Sequence, residues 1–204
     1  MKILYLTEGL HDRAFISKIL VRCKVCDDSQ IDAFKNKGTG DVKRDGETRA
    51  IRRFMESRSP YSILIKEENG KRSLLQLFNS ICVNAMIALD PPPKLVVICD
   101  HDGLPADKEF EQIRHQIKSS KNGIDFVQLS RTNHNEIAHT SVYKLVKKTD
   151  SREIVISNIH FFCFFTSLEK TAEKLFGKHP IDYLIDKLSQ NFKAEDIFAE
   201  VSKC

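Results

Sequence analysis

The chain is marked first by what it lacks. None of its 204 residues belongs to an apolar run of about 18, the length that a membrane-spanning helix requires. Its start, Met1-Lys2-Ile3-Leu4-Tyr5-Leu6, turns polar and acidic by Glu8, too soon for the apolar segment of a secretory signal. The expectation is a cytoplasmic protein with no membrane partner. No second close cysteine pair accompanies Cys23-Lys24-Val25-Cys26, because Cys82, Cys99, Cys163 and Cys204 are scattered. That spacing does not spell a paired-cysteine zinc site, and free thiols are expected. Internal repeats and low-complexity tracts are also missing. Strong charge is absent too: 32 basic residues against 28 acidic ones leave a net +4, too mild to imply a polyanionic partner by itself.

What is present is an alternation of short apolar runs and helical periods. Lys2–Thr7 reads as a strand, Glu8-Gly9 as a tight turn, and Leu10–Val21 as a helix with apolar positions at Leu10, Ala14, Ile16, Ile19 and Leu20. Cys23–Pro60 is poor in apolar residues and interrupted by Gly38, Gly40 and Gly46, so it reads as an insertion, with a basic helix over Glu47–Arg58. Tyr61–Lys66 is a second strand, Asn69-Gly70 a turn, and Ser73–Leu89 an apolar helix closed by Pro91-Pro92-Pro93. Lys94–Cys99 has the continuous apolar character of a strand covered on both faces. A helix over Ala106–Ser120, a stop at Gly123 and a strand over Ile124–Leu129 complete four strand and helix alternations, which predict a parallel α/β sheet. Thr140–Lys148 and Glu153–Phe165 then form a hairpin around a polar turn, and Leu168–Phe176, Ile181–Leu188 and Ala194–Val201 read as short helices. Two units follow from this reading, residues 1–130 and 131–204.

In a parallel sheet, ligands sit beyond the carboxyl ends of the strands. Glu8, Asp100 and Asp102 fall at such ends, and Asp12 follows Glu8 by about one helical turn. Asp100-His101-Asp102-Gly103 alone reads as a turn ahead of a metal site. Combined with Glu8 and Asp12, it assembles hard oxygen donors of the kind that hold Mg²⁺ or Mn²⁺ against phosphate oxygens.

Glu8-Gly9-x-x-Asp12, followed at a distance by an apolar strand ending in Asp100-x-Asp102-Gly103, resembles the TOPRIM domain of topoisomerases, bacterial-type primases and small nucleases. The Glu-Gly-x-x-Asp spacing is most similar to overcoming-lysogenization-defect (OLD) nucleases and their small stand-alone relatives. Ile63–Leu75 resembles the second TOPRIM strand and helix start, matching at Gly70 and Lys71. Thr166-Ser167-Leu168-Glu169 is similar to an element that adds a late metal ligand, although Ser167 and Glu169 read equally well as an N-cap and first-turn acid. The resemblance implies a Rossmann-like parallel sheet over residues 1–130 carrying a basic insertion at 23–60, with a hairpin and helical extension after it. It implies a metal-dependent nuclease, with Glu8, Asp12, Asp100, Asp102 and Glu169 as Mg²⁺ or Mn²⁺ ligands, and Glu8 and Lys71 acting on the reacting phosphate. The insertion is longer than usual, and the ATPase domain of full-length OLD proteins is lacking.

Lys35–Arg58 holds eight cations against four acids. Lys43, Arg44, Arg49, Arg52 and Arg53 are the expected contacts to a phosphate backbone, of DNA ahead of RNA, with a solvated face as the bland alternative. His11 and His101 flank the acids and read as neighbours more than as ligands. Phe161, Phe162, Phe164 and Phe165 read as packing residues. Two other functions compete. Asp100-His101-Asp102-Gly103 also resembles the nucleophile loop of haloacid-dehalogenase phosphatases, and a nucleic-acid-binding module without catalysis would keep the acids as a metal-stabilised scaffold.

Overall fold

The computed structural model describes residues 2–26, 31–33, 49, 51–56, 58–101, 111, 114–115, 123–149 and 151–199. Asp102, Lys43 and Arg44 lie outside these, as does most of the helix expected over Ala106–Ser120, of which positions 111, 114 and 115 are helical.

The strands are β1 (Ile3–Thr7), β2 (Ile31–Ala33), β3 (Ile63–Glu67), β4 (Lys94–Asp100), β5 (Ile124–His134), β6 (Ala138–Lys148) and β7 (Glu153–Phe164). They form one sheet in the order β2-β3-β1-β4-β7-β6-β5. The strands from β2 to β7 in that order run parallel, and β6 and β5 close the sheet as an antiparallel meander. The architecture is α/β and Rossmann-like, a mixed sheet flanked by helices.

Both faces of the parallel region are covered, which is why its strands are continuously apolar. Ile3 and Tyr5 of β1 point into one core with Phe15, Ile16, Ile19 and Leu20 of α1 (Leu10–Arg22). Helices α3 (Leu168–Phe176), α4 (Ile181–Ser189) and α5 (Ala194–Ile197) close that face through Leu168, Leu184, Leu188 and Ile197. Leu4 and Leu6 point the other way, toward Leu74 and Phe78 of α2 (Lys71–Ser80) and toward Ile51, Phe54 and Met55 of a short helix at 51–55. The apolar helix expected over Ser73–Leu89 starts two residues earlier, at Lys71, and changes pitch to a π turn at Ile81–Ala85 and a 3-10 turn at Met86–Ala88.

The expected fourth parallel strand is not where the sequence reading puts it. Ile124–Leu129 lies in β5, at the far edge and antiparallel to β6, while β7 takes the place beside β4. Burial explains the exchange. An inner strand needs apolar side chains on both faces, and β7 supplies them from Ile159 to Phe164, whereas β5 is exposed from Val127 to Asn133. The turn joining β5 to β6 uses Asn135 and Glu136 at φ 46° and 55°, a left-handed pair that forces an antiparallel return. Position 130 lies inside β5, so the sheet runs through the expected boundary between the two units. The expected hairpin is present as β6 and β7.

Candidate metal centre

Strand β1 delivers Glu8 and β4 delivers Asp100 to one edge. Thr7 is in register with Ile98, so the two acids leave neighbouring strands within a residue of the same level. The β3 end is stitched to this edge by two backbone bonds, Glu68 N–H to the Thr7 carbonyl at 2.9 Å and Gly70 N–H to the Glu8 carbonyl at 3.0 Å. Gly70 has φ 93°, a left-handed conformation that suits glycine and directs the chain into α2. That entry places Lys71, whose Nζ donates to the Asp100 carbonyl at 2.6 Å and lies 3.3 Å from Asp100 Oδ1. One carboxylate oxygen of Glu8 is buried.

Asp12 stands in the first turn of α1, where Gly9 N–H donates to its Oδ2 at 3.0 Å. Burial pushes its pKa up from 3.8 to about 8; repulsion from Glu8, Glu169 and Asp100 adds to the rise, and the Gly9 bond opposes it. A carboxyl that feels three others is the electrostatic signature of acids gathered in one place.

Glu169 arrives from the distant start of α3. His11 Nδ1 and Glu169 Oε1 are 2.7 Å apart and join the two helices. Burial raises the Glu169 pKa, but hydrogen bonds from His11, its own backbone and Ser167 together hold it below the ordinary value. Both readings of Ser167-Leu168-Glu169 therefore have support, because Ser167 is the N-cap of α3, accepting from Lys170 N–H at 3.3 Å, while Glu169 also faces Asp12. Glu8, Asp12, Asp100, Glu169 and Lys71 are thus brought together.

Two further acids at this edge escaped the sequence reading. Glu67 ends β3 beside Thr7 and pairs with Arg13 at 3.1 Å, and Glu68 pairs with the buried Lys66 at 3.1 Å. The signal was available, since Glu67-Glu68 follows an apolar strand just as Glu8 does.

His101 turns away from the acids. It is buried, with Nε2 3.4 Å from His139 Nδ1. Burial first, then Arg131, His101 and His134, lowers the His139 pKa to about 3, so its imidazole is neutral. Phe161, Phe162 and Phe164 are core residues. Cys23 and Cys26, at the end of α1, are in no disulfide among the described residues, and Cys26 is buried.

Of the basic insertion, the described helix at 51–55 packs away from the acids. Phe54 lies under Lys2 Nζ, 5.0 Å from the ring centroid, and Lys2 stands at the amino end of β1, where it also bonds the Ser59 carbonyl at 2.5 Å. Ile51 and Met55 share a groove with Ile81, Ala88 and Leu89, past the far end of α2. Arg49, Arg52 and Arg53 are exposed at that opposite end. The helix at 51–55 is held by its apolar face, because Ile51, Phe54 and Met55 pack into the core rather than at the ligand edge. Exposed cations adjoining the acidic cluster are Arg72, next to Lys71, and Lys170, next to Glu169; Arg131 is exposed on β5, the strand that leads into the β5–β6 turn. Ala138 pairs with Phe164, which pairs with Asp100, so that turn reaches the same edge.

Among the described residues, no helix is long and apolar enough to cross a membrane. Comparison with known proteins returns no match to a protein-family model, a curated protein or a solved structure.

Proposed function

We propose that this protein is a Mg²⁺- or Mn²⁺-dependent nuclease of the TOPRIM type. The observation that carries the reading is the placement of Glu8, Asp12, Asp100 and Glu169 at one sheet edge, where burial and the other three acids push the Asp12 carboxyl up. A set of oxygen donors that repel one another at a sheet edge is chemically suited to a hard divalent cation, and poorly suited to a soft one.

When bound, such a cation neutralises the acids and polarises a phosphate oxygen. Asp12, Asp100 and Glu169 would hold it, with Asp102, two positions after Asp100 in the sequence, as a further expected ligand. His11 orients Glu169 by its 2.7 Å hydrogen bond. Lys71 fixes the Asp100 backbone and brings a positive charge to the place where phosphate charge develops. Glu8 completes the set as ligand or as the group that moves a proton. Arg72, Lys170 and Arg131 supply exposed positive charge around the acids for the flanking phosphates, with DNA ahead of RNA as the substrate.

The test is nicking of supercoiled plasmid by pure protein with Mg²⁺ or Mn²⁺, compared with an Asp100→Ala and Asp102→Ala double variant. Metal-dependent nicking that the variant loses supports the reading. Binding without nicking favours a non-catalytic module, and hydrolysis of phosphomonoesters in place of nicking favours a phosphatase.

A further inference from the structure

On the opposite face of the sheet from Asp12, and directly behind Asp100, three buried side chains with metal-binding atoms meet. His139, Cys163 and Cys99 are cross-strand partners on β6, β7 and β4, so the register places them in one row. His101 follows Cys99 by two residues and folds onto that row. The ligand atoms of His101, His139 and Cys163 all lie within 4.8 Å of one another, and each residue is at most 2% exposed. Cys99 Sγ stands 3.4 Å from Cys163 Sγ.

We propose that His101, His139 and Cys163 form a buried site for zinc or a similar borderline-soft divalent ion, with Cys99 as the fourth donor. The donor types are those of a closed structural zinc site, two imidazoles and two thiols. Nitrogens bound at 2.0–2.1 Å to a tetrahedral zinc stand about 3.3–3.4 Å apart, and His101 Nε2 and His139 Nδ1 are separated by 3.4 Å. Thiolates bound to the same ion stand about 3.8 Å apart, so Cys99 and Cys163 must separate by a few tenths of an ångström. Packing alone accounts for part of the arrangement, since the two imidazoles are parallel within 4° and Phe165 lies beside them. Strand register brings Cys99 beside Cys163, while the His101 and His139 ligand atoms gather with the Cys163 thiol within 4.8 Å of one another, a separation that must shrink by about an ångström for all three to bind one zinc. Ion binding takes the thiols as thiolates and releases their protons to solvent.

Such an ion ties β4, β6 and β7 together where β4 delivers Asp100. It differs in kind from the acidic centre, which has oxygen donors only, so the inference stands whether or not the protein is a nuclease.

The test uses the full-length protein stripped of metal by a chelator and titrated with Co²⁺. One equivalent is expected to produce a sulfur-to-cobalt charge-transfer band in the near ultraviolet together with intense tetrahedral visible bands, all removed by added Zn²⁺ but not by Mg²⁺. Asp100→Asn should keep the bands, Cys163→Ser should lower the charge-transfer intensity, Cys99→Ser added to it should remove that intensity, and the Cys23→Ser and Cys26→Ser double variant should keep it in full. Weak octahedral bands alone, or charge transfer that survives the combined Cys99→Ser and Cys163→Ser change, would overturn the proposal. Where Cys163→Ser fails to fold, X-ray absorption of the zinc-loaded parent decides: sulfur neighbours at about 2.3 Å beside nitrogen support the site, and an oxygen-only shell or no retained zinc refutes it.

Discussion

Lys71 binds Asp100 twice, through its backbone carbonyl at 2.6 Å and its carboxylate at 3.3 Å, and so ties the start of α2 to the end of β4. Each side chain is less than one-fifth exposed. The lysine brings its positive charge directly to Asp100, and it offsets part of the repulsion within the acidic cluster.

Lys71→Met should therefore destabilise the metal-free protein by about 1 to 3 kcal/mol, because it leaves a mostly buried carboxylate without this charge partner. Urea unfolding measures this. Millimolar Mn²⁺ should recover much of the loss by neutralising Asp100 directly. Equal losses with and without Mn²⁺ would mean that the metal does not reach Asp100.

Asp12 sets the pH dependence of the metal-free protein. Its folded pKa of about 8 lies above the ordinary 3.8. Below pH 3.8 the carboxyl is protonated whether the chain is folded or unfolded, and its contribution to stability is fully present. Between 3.8 and about 8 the folded protein keeps a proton that the unfolded chain has released, so stability falls as pH rises. The limiting slope is about 1.4 kcal/mol per pH unit. Glu169 acts in the opposite sense, losing stability only as pH falls below 4.5. Asp12→Asn should flatten urea midpoints between pH 5.5 and 8.5 and raise the one at pH 8.5. Bound Mn²⁺ favours the carboxylate, and so should flatten the parent's profile too.

The two roles of the α3 start can be separated. Ser167→Ala removes the N-cap and should cost about 0.5 to 2 kcal/mol with little change in Mn²⁺ affinity. Glu169→Gln should instead weaken Mn²⁺ binding several-fold in a calorimetric titration. His11 and Glu169 are 38% and 42% exposed, so the stability carried by their ion pair is at most about 1 kcal/mol. Unchanged affinity in Glu169→Gln would leave it as a capping acid.

Position also separates the cations. Neutralising Arg72, Lys170 and Arg131 should weaken nucleic-acid binding and reduce the slope of log K against log salt by close to one unit for each phosphate no longer gripped. Neutralising Arg49, Arg52 and Arg53, at the other end of α2, should have the smaller effect. A salt titration showing the reverse order would move the nucleic-acid path to the amino edge of the sheet.

Much of this was legible in the chain. Lys94–Cys99 betrayed its burial through uninterrupted apolar residues, and Glu8 and Asp100 were placed by the strands that precede them. Their convergence needed only that β1 and β4 be neighbours. Less visible was the turn at Asn135-Glu136, which takes a left-handed conformation without the glycine that usually signals it, so β5 read as another parallel strand. His11 and Glu169, 158 positions apart, meet through the packing of α1 and α3, which no local pattern encodes. In the described part of the basic segment, the three apolar residues Ile51, Phe54 and Met55, and not its cations, set where the short helix lies.

The most direct measurement is the location of bound Mn²⁺ by anomalous diffraction from crystals of the protein grown with it. The account predicts a peak at ligand distances of about 2.0 to 2.6 Å from carboxylate oxygens of both Asp12 and Asp100. Mn²⁺ found away from these carboxylates, or no peak at a concentration that stabilises the protein, would contradict it.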